Sequence, residues 1–165
     1  MIYNNINIIV AMTEKTRAIG KDGDMIYHLP KDLKYFKETT MGSTVVTGYT
    51  TYLSLPKRPL PGRKNIVLCM PAKPIEGCTV FGSIEELLDY ASNNPDEKIF
   101  ICGGESIYKQ LIPYSNRLYI TMIEEVEPVK ADRFFPSVDE KIWKKISDTC
   151  VEDNKKIHFT VWERK

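Results

Sequence analysis

The chain predicts an α/β fold: a single-domain mixed sheet of about eight strands, mostly parallel with an antiparallel C-terminal strand, flanked by about four helices. Three observations predict it. Short β-rich apolar runs alternate with helix-patterned stretches from Ile6 to Pro113, which calls for parallel strands joined by crossover helices. After Arg117 strand patterns follow one another without a convincing helix, which adds an antiparallel end. The length, 165 residues, suits one domain with a substantial core, so residues 1–165 are read as one unit.

In order along the chain, Ile6–Met12 is apolar except at Asn7 and reads as a buried strand. Thr13–Asp24 is polar, holds Gly20 and Gly23, and is too long for a tight turn. It is read as a loop, either a plain surface connection or a lid over a cleft. Pro30 suits the first position of a helix, expected to run to Thr40. Helical spacing puts Leu29, Asp32, Leu33 and Phe36 on one face, so a single carboxylate shares its side with three apolar residues. Either the helix dipole accounts for an acid in the first turn, or the carboxylate sits in an apolar cleft and receives a ligand with two adjacent N–H donors.

Thr44–Thr47 is β-branched throughout, Gly48 ends it, and Thr50 and Thr51 open a short helix that stops at Pro56. That order aims N–H groups and hydroxyls at an anion, or is ordinary threonine N-capping. Leu55–Asn65 holds Pro56, Pro59, Pro61 and Gly62 and reads as a stiff connection. Arg63 follows its Pro61-Gly62 turn and precedes the strand Ile66–Met70. It is placed to clamp a carboxylate, unless the segment is simply a solvated basic loop. Thr79–Phe81 is a short strand, and Ser83 caps the next helix with Glu86 at the capping-box position.

Ile99–Cys102 reads as a buried strand that runs into Gly103-Gly104, with a helix over Glu105–Leu111. A glycine pair there lets backbone approach a pyrophosphate, although the third glycine of the G-x-G-x-x-G fingerprint is missing and a structural turn fits equally. Arg117–Glu125 alternates as a strand, Ala131–Pro136 is a loop or edge, and Ile142–Ile146 is ambiguous. Lys156–Glu163 is the C-terminal strand, after a turn at Asp153-Asn154.

Composition excludes several classes. The net charge of +1 leaves no electrostatic footprint for nucleic acid or an anionic membrane. No apolar run approaches bilayer length and no signal-like segment opens the chain, so a cytoplasmic location is expected. Cys69, Cys78, Cys102 and Cys150 form no C-x-x-C pair, and only His28 and His158 accompany them, so no metal site is expected. No catalytic Cys–His arrangement, G-x-S-x-G or P-loop is present.

The blocks Ile9-Val10-Ala11, Ala18-Ile19-Gly20, Leu29-Pro30-Lys31-Asp32-Leu33 with Phe36, Thr47-Gly48 with Thr51-Tyr52, Arg58 through Asn65, Ile101 through Tyr108, and Leu118 through Thr121 run in order along essentially the whole chain. Together they resemble the dihydrofolate reductase family. The resemblance implies reduction of 7,8-dihydrofolate by hydride transfer from NADPH, in support of one-carbon metabolism and thymidylate, purine and amino-acid synthesis. It implies catalytic roles at Asp32, Tyr27 and Met25. It implies a substrate site of Val10, Ala11, Asp32, Leu33, Phe36, Arg63 and Thr121, with Arg63 on the glutamate tail and Thr121 completing the polar end.

NADPH contacts would fall on Ala11, Ile19, Gly20, Gly48, Tyr49, Thr50, Thr51, Leu68, Cys69 and Met70. A second group would be Cys102, Gly103, Gly104, Glu105, Ser106, Ile107 and Tyr108. The Thr13–Asp24 loop with Met25 would be the lid. Dihydrofolate and antifolate-type small molecules are the implied partners, and a monomer the implied state.

Three positions depart from the family pattern. Ile26-Tyr27 stands where Pro-Trp is usual, Tyr49 where many members carry arginine, and Met70 where a small polar residue or arginine often meets the ribose 2′-phosphate. Lys73, in the loop that follows, is the nearest replacement cation. A pyrimidine reductase of the same fold and a catalytically idle folate-binding protein are the rival readings; the Asp32 and Arg63 pairing argues against the first, and the intact Asp32 against the second.

Overall fold

The apolar runs become strands and the helix-patterned stretches become helices, as a computed structural model of residues 1–165 shows. In chain order they are β1 (Ile6–Thr13), β2 (Ala18–Gly20), α1 (Pro30–Thr40), β3 (Thr44–Gly48), α2 (Tyr49–Ser54), β4 (Lys64–Leu68) and β5 (Cys78–Phe81). There follow α3 (Ile84–Asn93), β6 (Ile99–Ile101), α4 (Glu105–Leu111), β7 (Arg117–Ile123), β8 (Arg133–Phe134), β9 (Trp143–Asp153) and β10 (Lys155–Arg164). Eight strands form one sheet in the order β5-β4-β3-β6-β1-β7-β10-β9. Every pairing from β5 to β7 is parallel, and β10 is antiparallel to both β7 and β9. No helix is long and apolar enough to cross a membrane.

Register decides which residues face which layer. In β1, Ile8, Val10 and Met12 join Val46, Ile66, Ile101, Leu118 and Ile120 in a core covered by α3 and α4 through Leu87, Ala91, Tyr108 and Leu111. Ile9, with Val45 and Phe100, faces the other way and packs against Phe36 of α1. The sheet is therefore buried on both faces, as its near-continuous apolar strands require. Ser83 caps α3 as expected, accepting from the Glu86 N–H at 3.2 Å.

Three expectations are corrected and one ambiguity is resolved. The ambiguous segment 142–146 runs from a turn at Ile142 into the start of β9, an 11-residue edge strand that pairs with β10 alone and is exposed along most of its length. From Lys144 to Cys150 neither face of this edge strand is covered, so that stretch shows no alternation to read. The Thr13–Asp24 segment is not all loop, because β2 pairs with β8 as a separate ribbon. Strand β4 ends at Leu68, leaving Cys69 and Met70 beyond it. Neither Thr50 nor Thr51 caps α2, which starts at Tyr49 from Gly48 with no side-chain cap.

The base of the β1–β2 connection is held by one buried acid. Glu125 is 2% exposed and accepts from the Lys15 N–H (2.9 Å), the Thr16 N–H (2.8 Å), the Thr16 hydroxyl (2.7 Å) and the Val129 N–H (3.2 Å). Burial alone would raise its pKa; these donors outweigh burial and bring it down to about 2. A carboxylate depressed from its ordinary 4.3 or so contributes roughly 3 kcal/mol above that value, lost as pH falls toward 2. Glu125→Gln is therefore expected to cost about 2–3 kcal/mol at pH 7. Urea unfolding from pH 7 to pH 2 should show a flatter decline for the variant than for the unsubstituted chain.

Candidate active site

A buried carboxylate organises the site. Pro30 starts α1, and Asp32 in its first turn is only 6% exposed. Burial pushes the Asp32 carboxyl above the usual range; the Thr121 hydroxyl acts against this, and the charge of Asp153 adds to it. Thr121 lies on β7 opposite Ala11 of β1 and Phe159 of β10, so the register presents it toward α1. The Phe159 ring stacks on Tyr35 of the same helix, centroids 4.1 Å apart. Tyr27 packs beside Leu29, Ile123 and Ile157, with Ala11 in the same cluster.

The far end of α1 carries an unpaired cation. Arg63 donates through Nε to the Pro61 carbonyl (2.9 Å) and through Nη1 to the Thr40 hydroxyl (3.1 Å). Its guanidinium lies 5.9 Å from the centre of the Phe36 ring. Its remaining N–H groups have no acidic side chain to meet. On the same helix, Leu33 is 42% exposed and Phe36 packs on the apolar cluster of Ile9, Val45 and Phe100, with Leu60 and Cys102 alongside. Two surface hollows of about 250 Å³ lie elsewhere, one beside Lys98 and Arg117 and one beside Met12 and Trp162. Neither brings a buried carboxylate together with an open cation.

Two glycine turns meet in this fold. The Gly48 N–H donates to the Gly103 carbonyl at 2.8 Å, which latches the start of α2 to the start of α4. A Cβ on Gly48 would come within 3.2 Å of Ile107, and one on Gly104 within 3.0 Å of the Thr51 hydroxyl. Gly103 has φ +121°, a conformation that side-chain-bearing residues rarely adopt. Close backbone approach and two sets of first-turn N–H groups are what a diphosphate needs.

Comparison with known proteins decides the family. The family model for dihydrofolate reductase matches residues 5–164. A dihydrofolate reductase of Bacillus subtilis is 41% identical over 165 aligned residues, covering 97% of this chain and 95% of the relative. One from Staphylococcus haemolyticus is 35% identical and covers 98% and 97%. The solved structure of an Enterococcus faecalis dihydrofolate reductase, complexed with NADP(H) and RAB-propyl, superposes with a TM-score of 0.87 at 34% identity, covering 99% of this chain and 98% of its own.

The chain belongs to the dihydrofolate reductase family. The family places it among the oxidoreductases. Within this dihydrofolate reductase fold, Asp32 and Phe36 lie on α1, Thr121 of β7 stands in register with Ala11 of β1, the Arg63 guanidinium lies by the Phe36 ring, and Leu33 is exposed. Val10 points away from them: its side chain enters the core on the opposite side of the sheet, and Ile9 is the residue that packs with Phe36. Strand parity with Ala11 was the signal for Ile9, since residues two apart share a face.

Several expected cofactor residues are committed to the fold. The Tyr108 hydroxyl donates to the Ile9 carbonyl at 2.8 Å. Glu105 accepts from the Phe134 N–H at 2.8 Å and also meets Lys109, which ties α4 to β8. Leu68 is buried in the main core, and the Cys69 thiol is directed at the Pro71 carbonyl. Cys102 packs with Phe36 on the α1 side, where burial raises its thiol to about 12. Ser106 stays exposed at the start of α4, and Ile107 packs against the core and abuts Gly48.

Ile19 packs on the core, and the Gly20 carbonyl accepts from the Asp132 N–H. The expected lid is therefore anchored at Gly20 and again at Asp22, whose N–H donates to Asp132 at 3.1 Å; its longest exposed run is Lys21–Met25, with Met25 38% exposed. Met70 is 82% exposed, and the Lys73 ammonium lies 4.2 Å from the centre of the Tyr49 ring.

Proposed function

We propose that this chain reduces 7,8-dihydrofolate to 5,6,7,8-tetrahydrofolate with NADPH, as a cytoplasmic monomer supplying one-carbon metabolism. The observation that carries the reading is the 6%-exposed Asp32 in the first turn of α1, with Arg63, which meets no acidic side chain, bonded to Thr40 at the other end of that helix. A pterin ring offers a ring N–H and an exocyclic amino group side by side, and a carboxylate accepts both at once. Thr121 completes that polar end. Ile9, Ala11, Leu33 and Phe36 wall the rings and exclude water. Arg63 takes the α-carboxylate of the glutamate tail with its open N–H groups.

The glycine latch at Gly48, Gly103 and Gly104 leaves no room for a side chain and fits the diphosphate of a dinucleotide. When bound, NADPH supplies the hydride that goes to C6 of dihydrofolate. Asp32 orients and polarises the pterin while its raised proton affinity makes the pairing with two donors more favourable than solitary burial. The proton for N5 arrives from water, since Asp32 holds the opposite edge of the ring.

Selection of the 2′-phosphate falls to Lys73, because Met70 has no donor and Tyr49 no charge. Lys73→Ala is expected to raise KM for NADPH about three- to tenfold and leave KM for NADH unchanged, as loss of one exposed cation implies. The whole reading is tested by following reduced-nicotinamide absorbance with and without dihydrofolate, using each cofactor in turn. Oxidation that depends on dihydrofolate and runs faster with NADPH is expected. Absence of any dependence on dihydrofolate rejects the reading in favour of a binding protein or a reductase of another heterocycle.

A further inference from the structure

The N-terminus of α1 is not capped by its own neighbourhood in sequence. Leu29 occupies the N-cap position and has no side-chain oxygen to offer. The cap comes from the other end of the chain, where the β9–β10 hairpin turns at Asn154 with φ 64°. Asp153 Oδ2 accepts from the Lys31 N–H at 2.7 Å, and the Glu152 carbonyl accepts from the Lys31 ammonium at 2.6 Å. Lys155 sets its ammonium 4.8 Å from the centre of the Tyr27 ring. Val151 and Phe159 pack into the cluster that holds Leu29 and Tyr27. The hairpin thus grips the backbone one residue ahead of Asp32.

We propose that Asp153 is a positioning residue for Asp32: it holds the first turn of α1 through the Lys31 N–H and sets a second negative charge beside the substrate-binding carboxylate. The proposal rests on the reading of Asp32 given above and names the residue that aims it. The groups around Asp32 single out Asp153. From α1 there is the Tyr35 phenol, with Tyr119 of β7 beyond it, and from β7 the Thr121 hydroxyl. Lys31 is drawn to the Glu152 carbonyl, Lys155 to the Tyr27 ring, and His28 pairs with Asp24. Asp153 is the one carboxylate acting on Asp32 from outside its helix, and it raises the Asp32 pKa in addition to burial.

Two variants separate the hydrogen bond from the charge. Asp153→Asn keeps an oxygen that can accept from the Lys31 N–H and removes the charge; Asp153→Ala removes both. The first readout is the titration midpoint of the Asp32 carboxyl carbon in the ligand-free protein, followed by ¹³C NMR and assigned by its absence in Asp32→Asn. The second is KM for dihydrofolate. The midpoint should move to lower pH in both variants, because removing a like charge favours the ionised form. KM should rise about threefold or more in the alanine variant only, through loss of the cap, with asparagine restoring it. An unmoved midpoint in Asp153→Asn, or a KM in Asp153→Ala equal to that of the unsubstituted chain, overturns the proposal. The NMR titration needs no turnover, so a chain that fails to reduce dihydrofolate rejects the functional reading without deciding this one.

Discussion

Asp32→Asn should leave the fold intact and lower turnover of dihydrofolate about 10²- to 10⁴-fold, the range for loss of a group that polarises the reacting centre. Asparagine fills the same volume, so the packing around Leu29 and Phe36 survives. Its amide, however, presents one acceptor and two donors where the pterin needs two acceptors, so one pair of N–H groups would face each other across the site. Stability moves the opposite way. The folded protein raises the Asp32 pKa through burial, so the ionised carboxylate disfavours folding at pH values above its unfolded pKa. The variant removes that charge and should unfold at a higher temperature at pH 7. Steady-state turnover with NADPH, alongside a thermal scan, checks both halves. Near-normal turnover in the variant would remove Asp32 from the chemistry.

Arg63→Leu should raise KM for dihydrofolate about 10- to 100-fold while kcat changes little. A hydrogen-bonded contact to a charged partner is worth about 1.5–3 kcal/mol net, which converts to about that factor. Arg63 has only two neutral acceptors within the protein, the Pro61 carbonyl and the Thr40 hydroxyl, so its loss strands no buried charge and the fold should tolerate it. A dihydropterin without the glutamate tail separates specific clamping from general damage. Its kcat/KM should be the same for the variant and for the unsubstituted chain. An equal loss with both substrates would place Arg63 outside the tail site.

The residues Pro30, Asp32, Phe36 and Arg63 were legible in the sequence because each depends on local rules. Proline marks a helix start, period 3.6 puts Asp32 and Phe36 on one face, and a stiff proline-glycine segment delivers Arg63 to a strand start. Strands with both faces buried were legible for the same reason, since their apolar runs are continuous. The exposed strand β9 was not, because from Lys144 to Cys150 neither face is covered and that stretch carries no apolar period.

The sequence by itself determined the family, the parallel sheet with its antiparallel end, and the helix face that Asp32 shares with Phe36. Only the tertiary structure decided that Ile9 and not Val10 packs with Phe36, and that Tyr108 and Glu105 are bound to the fold. It alone brought Asp153, 121 positions after Asp32, onto the Lys31 N–H in the first turn of α1. The reason is physical. Helical and strand periods act over a few residues, whereas strand register and a hydrogen bond between chain ends exist only once the sheet has closed.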